Sequence, residues 1–129
     1  FNLAGPIVDT LRQGKSLFVD ELDAKLHPLL SRRIVKLFNC AETNPHGAQL
    51  IFTTHDTDML SKKLLRRDQV VFVEKTVKTS YSTKLTPMMS ITLDNGAKPR
   101  TDSNHEKNYL EGKYGAIPYF EDEFKGCNE

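Results

Sequence analysis

Two adjacent carboxylates, Asp20 and Glu21, end the short uncharged run Ser16-Leu17-Phe18-Val19, and His55 closes a second uncharged run, Gln49 to Thr54. An acid at the carboxyl end of a strand can hold a hard cation such as magnesium, which accepts only one or two protein carboxylates beside its waters and phosphate oxygens. A neighbouring acid can orient or deprotonate an attacking water. A histidine delivered to the same edge can contact a phosphoryl group in transfer. Taken singly, the acids read as turn caps and the histidine as a loop residue. The matching ends of two runs favour chemistry, because the carboxyl edge of a parallel sheet is where ligands bind in α/β folds.

The remaining sequence must supply elements that bring those ends together. Leu3, Ile7, Val8 and Leu11 recur at helical spacing between Asn2 and Arg12, Pro6 falls in the first turn, and Gly14 stands at the C-cap position. Ser16 to Val19 reads as an inner parallel strand covered on both faces. Leu26-His27-Pro28 turns the chain into a helix with Leu30, Ile34, Leu37 and Phe38 on its apolar face and Arg32, Arg33 and Lys36 on the wet side. Thr43-Asn44-Pro45-His46-Gly47 ends that helix, and Gln49 to Thr54 is a second buried strand. Strand, helix, strand implies a right-handed parallel crossover.

Further along, a short helix beginning near Asp56 or Thr57 carries Met59, Leu60 and Leu64 into the basic cluster Lys62, Lys63, Arg66 and Arg67. Val70 to Glu74 is a third strand with Ser80 to Leu85 as its hairpin partner, and a last short helix is expected over Glu106 to Glu111. Tyr109, Tyr114, Tyr119 and Phe120 are read as packing on the domain's own sheet. The basic groups on both helices read as solvated faces, with contact to a phosphate backbone as the alternative.

The composition narrows the class. The chain of 129 residues suits one modest core, and 18 basic against 17 acidic residues give a net charge of +1, no global attraction for nucleic acid or membrane. No apolar run approaches the roughly 20 residues of a membrane span. Cys40 and Cys127 lie far apart with no secretory segment, so reduced thiols and a cytoplasmic location are expected. Phe1 opens directly into an apolar-rich segment, which suggests a fragment of a longer protein.

Leu17-Phe18-Val19-Asp20-Glu21 resembles the Walker B motif of ABC-type ATPases, Ala24-Lys25-Leu26-His27 stands at the position of their D-loop, and Thr54-His55-Asp56 resembles their switch histidine. The run Asp20-Glu21-Leu22-Asp23-Ala24-Lys25-Leu26-His27-Pro28 is closer still to the AAA15 and OLD-like branch, and Tyr109 to Pro118 is similar to the end of that branch. The resemblance implies an α/β, partial P-loop NTPase of three layers, with parallel core strands and a C-terminal hairpin. Residues 1–129 would be the C-terminal half of an ATPase domain, with a Walker B to switch-histidine core over about 1–75 and a hairpin and tail over about 76–129.

The same resemblance implies ATP and magnesium as ligands, Asp20 on the metal, Glu21 as general base and His55 at the γ-phosphate. Ala24, Lys25, Leu26 and His27 would communicate with a second protomer in a head-to-tail, ATP-dependent dimer. Members of the branch act in phage defence or sit beside restriction genes, so a nuclease partner or DNA is conceivable. Gly14-Lys15-Ser16 imitates the end of a phosphate-binding loop, yet Asp9 occupies its first glycine position and the segment runs from helix to strand. ATP binding would therefore depend on a P-loop and signature outside these residues. Two alternatives stand beside this reading. One is an OLD-type metal-dependent nuclease using Glu74, although Lys75 replaces the glycine preferred after it. The other is a module in which ATP drives dimerisation without turnover.

Overall fold

Helix α1 (Ala4–Gln13) ends at Gly14, whose φ of 63° is the left-handed conformation that closes a helix. Pro6 sits in the first turn, where its missing N–H has no intrahelical acceptor to lose. The computed structural model describes residues 3–24, 26–61, 63–76, 82–93, 96 and 104–115. The chain divides into two compact units, Phe1–Met59 and Leu60–Glu129.

In the first unit, strands β1 (Ser16–Val19) and β2 (Gln49–Phe52) pair in parallel, from Ser16 opposite Gln49 to Val19 opposite Phe52. The ladder extends at both ends: the Gln49 N–H donates to the Lys15 carbonyl at 2.9 Å, and the Thr53 N–H to the Val19 carbonyl at 3.0 Å. The expected parallel crossover is thus present, with α2 (Pro28–Asn39) between the strands. The strands are not covered on both faces, however. Exposure alternates along each, and Phe18, 72% exposed, lies opposite Ile51. Leu17, Val19, Leu50 and Phe52 share the better covered face.

Helix α2 begins at His27, whose Nδ1 accepts the Leu29 N–H at 3.3 Å, with Pro28 as first helical residue. Its buried stripe is Ser31, Ile34, Val35 and Phe38. Leu30 and Leu37, expected on that face, are largely exposed. The face is rotated toward Ser31 and Val35, a direction that the small serine made hard to read. Asn44 then anchors the loop back to the strand: its side-chain amide donates to the Phe38 and Ala48 carbonyls at 2.8 Å each, and its Oδ1 accepts the Ala48 N–H at 2.7 Å. A 3-10 turn, Thr57–Leu60, replaces the helix expected near Asp56, and buries Met59.

In the second unit, β3 (Val71–Thr76) and β4 (Ser82–Pro87) form an antiparallel hairpin. β3 thus lies in the second unit with its hairpin partner. Phe72 centres a core with Met88, Ile91 and Tyr114. Tyr109 stacks on Phe72 at 5.2 Å, so both described tail tyrosines pack inward. Tyr119 and Phe120 lie outside the described residues. Helix α3 (His105–Leu110) is capped by Asn104, whose Oδ1 accepts the Lys107 N–H.

Candidate functional site

The parallel register makes the ends of β1 and β2 neighbours, so residues 33 positions apart in sequence meet at one edge. Asp20 and Glu21 leave β1 there, and Thr53, Thr54 and His55 leave β2. His55 Nε2 stands 3.9 Å from Glu21 Oε1, with the histidine side chain 87% exposed and the glutamate 57%. An ion pair so open to water contributes at most about 1 kcal/mol. The approach therefore speaks to placement more than to stability.

Glu21 carries a φ of 50°, the only positive value at a described residue other than glycine. A side chain in this region costs about 1–2 kcal/mol, and such strain gathers at functional sites. Two contacts hold it. The Glu21 N–H donates to Thr53 Oγ1 at 2.7 Å, and the next amide, of Leu22, donates to the Thr53 carbonyl at 3.0 Å. Leu22 is itself 2% exposed, an apolar anchor immediately after the acids.

Thr53 faces the other carboxylate as well. Its hydroxyl lies 2.6 Å from Asp20 Oδ1. An amide can only donate, so the hydroxyl accepts from Glu21 and its single proton goes to Asp20. Asp20 Oδ1 is thereby engaged, and Oδ2 is the oxygen free of this bond. An exposed carboxylate fixed through one oxygen is a fitting donor for magnesium, which needs few protein ligands. Among the described residues no group of three or more His, Cys, Asp or Glu could hold a metal, so any such ion would need phosphate oxygens and water to complete its shell.

Thr54 repeats the pattern one residue on. Its hydroxyl accepts the Asp56 N–H at 3.0 Å. Burial pushes the Asp23 carboxyl up, but hydrogen bonds from Thr54 and from the Asp23 and His55 backbone, with the charge of His55, outweigh it and hold the group below 3.8. Asp56 in turn accepts the Asp58 N–H, and Asp58 pairs with Arg32 of α2. Arg32, expected on the wet side, thus ties α2 to the loop that follows His55.

Ala24, Leu26 and His27 form the turns between the acids and α2: the Ala24 N–H donates to the Glu21 carbonyl at 3.0 Å and the Leu26 N–H to the Asp23 carbonyl at 3.3 Å. Lys25 lies outside the described residues. Gly14 and Lys15 are remote in role from a phosphate loop, since they close α1 and open β1. Glu74 belongs to the second unit, where it pairs with Lys84 across the hairpin. The basic groups are largely solvated, with Arg33, Lys36 and Lys63 exposed and Arg66 bound to Asp68. Sequence reasoning gave Thr53 no role and Thr54 only a place in the switch-histidine resemblance; the one signal for Thr53 was a doubled hydroxyl residue beside the histidine.

Residues 3–61 match the family model AAA_21, described as "AAA domain, putative AbiEii toxin, Type IV TA system". The match covers the whole acid and histidine edge and supports an AAA-type, P-loop ATPase-like domain in this part of the chain. No curated protein and no solved structure matches the chain. No helix among the described residues is long and apolar enough to cross a membrane.

Proposed function

We propose that the first unit is the Walker B and switch-histidine half of an ABC-like, AAA15-type ATPase, which binds and hydrolyses ATP with a P-loop supplied by another segment. The observation that carries this reading is the meeting of Glu21 and His55 at 3.9 Å on the carboxyl edge of a parallel strand pair. The family match over residues 3–61 supports its coarser part, an AAA-type, P-loop ATPase-like domain.

In this mechanism Asp20 would hold magnesium, its Oδ2 being free of the bond to Thr53. When bound, the ion neutralises charge on the phosphate oxygens. Glu21 orients the attacking water and takes its proton, and its exposed carboxylate is open to that water. His55 donates toward the γ-phosphate oxygens from the opposite strand end. Ala24 to His27, which link the acids to α2, report the state of the site to a second protomer. The process it would serve is phage defence or another DNA-linked task, as the resemblance to the AAA15 branch implies.

The test is Glu21→Gln in a protein that joins these residues to a P-loop. Turnover should fall by about 10²- to 10⁴-fold while nucleotide binding is retained. Phosphate release at the unsubstituted rate would remove Glu21 from the role of base.

A further inference from the structure

We propose that Thr53 is a positioning residue whose one hydroxyl aims the Asp20 carboxylate and pins the left-handed backbone of Glu21. The aiming half rests on the reading of Asp20 as the magnesium ligand; the pinning half stands on geometry alone.

Donor chemistry fixes the direction of both bonds of the hydroxyl. It accepts from the Glu21 N–H at 2.7 Å and gives its single proton to Asp20 Oδ1 at 2.6 Å, so neither bond can be reversed. The first bond fixes the amide at which the chain enters its positive φ of 50°. The second removes one oxygen of Asp20 from competition and sets the rotation of the other. Thr53 is well placed for this, because its N–H donates to the Val19 carbonyl and its carbonyl accepts the Leu22 N–H, both at 3.0 Å. The backbone of Thr53 is thus bonded to the residues on either side of the acid pair, and its side chain reaches the pair itself. A valine of the same shape would keep the backbone bonds and lose both contacts of the hydroxyl.

The pinning is tested on the full chain by a double-mutant cycle of Thr53→Val with Glu21→Gly, read by urea unfolding. Glycine adopts positive φ without strain yet keeps the amide that donates to Thr53, so loss of the hydroxyl releases stored strain only in the native background. Thr53→Val should shift the unfolding equilibrium on the order of 5- to 30-fold beside Glu21→Gly and distinctly less in the native background, with Thr53→Ser near native in both. Equal losses in the two backgrounds would overturn the pinning. A measurement without any substitution guards against a valine variant that does not fold: the Glu21 amide proton should exchange slowly for an exposed residue, and exchange at the rate of an unbonded amide would overturn it as well.

The aiming is tested with manganese as paramagnetic probe, followed by broadening of amide signals around Asp20. Thr53→Val should raise the concentration for half-broadening about 10-fold, and Thr53→Ser should restore it. Broadening lost in Asp20→Ala but unchanged in Thr53→Val overturns the aiming. Broadening unchanged in Asp20→Ala overturns the metal role of Asp20 itself, and the unfolding cycle then decides the pinning alone.

Discussion

Replacing Gly14 by alanine separates two costs that this structure places on one atom. At φ 63° an added Cβ would stand 2.6 Å from the His46 carbonyl oxygen, a backbone atom that cannot swing aside. The left-handed conformation costs alanine about 1–2 kcal/mol, and the lower entropy of its unfolded chain returns about 0.5–1. Relieving the contact requires movement of the loop or of the helix end by at least 0.4 Å to reach the 3.0 Å limit of real Cβ contacts, a strain of about 1–3 kcal/mol in packed structure. The sum is about 1–4.5 kcal/mol. Gly47 is the internal control, since its φ is 66° but nothing lies within 4 Å of its Cβ. Gly47→Ala therefore carries the conformational term alone, about 1 kcal/mol or less. Urea unfolding of both variants measures the difference, which should be about 1–3 kcal/mol. Equal losses at the two positions would refute the steric argument.

The pH dependence of unfolding should carry the mark of Asp23. Its folded carboxyl is held below the ordinary 3.8, so it contributes stability above that value and loses it as pH falls through the lower folded value; Asp23→Asn should flatten this part of a urea-unfolding series taken at acid pH. His27→Asp replaces a histidine cap by a stronger one at the start of α2 and should leave stability unchanged or raise it by up to about 1 kcal/mol, read as an unchanged or higher melting temperature. If His27 also speaks to a second protomer, the same variant in the joined ATPase should lose ATP-dependent dimerisation on sizing chromatography without losing helix stability.

The sequence was most legible where local chemistry decides structure. Gly14, Pro28 and the turn around Asn44 marked element ends because glycine, proline and asparagine act through their own backbone geometry. The strand ends carrying Asp20 and His55 could be matched because parallel pairing leaves a crossover little choice. Tertiary burial was harder to read. Leu30 and Leu37 looked like core by spacing, yet Ser31 and Val35 are inside, since which stripe of α2 faces inward depends on the partner surface. Phe18 looked like the middle of a doubly covered strand, and only the pairing showed which face the described residues cover. Thr53 was silent because a hydroxyl at a strand end is common, and its importance lies in two distances that sequence cannot contain.

On the proposed role of Glu21 as general base, its left-handed backbone sets durability against chemistry at a single codon. Drift that rewarded only robustness would settle on glycine there, which adopts this conformation without strain. A relative carrying glycine at that place would have gained an easier chain path and surrendered the carboxylate. Among homologous chains, that one substitution would separate lineages that kept the fold from lineages that kept the reaction.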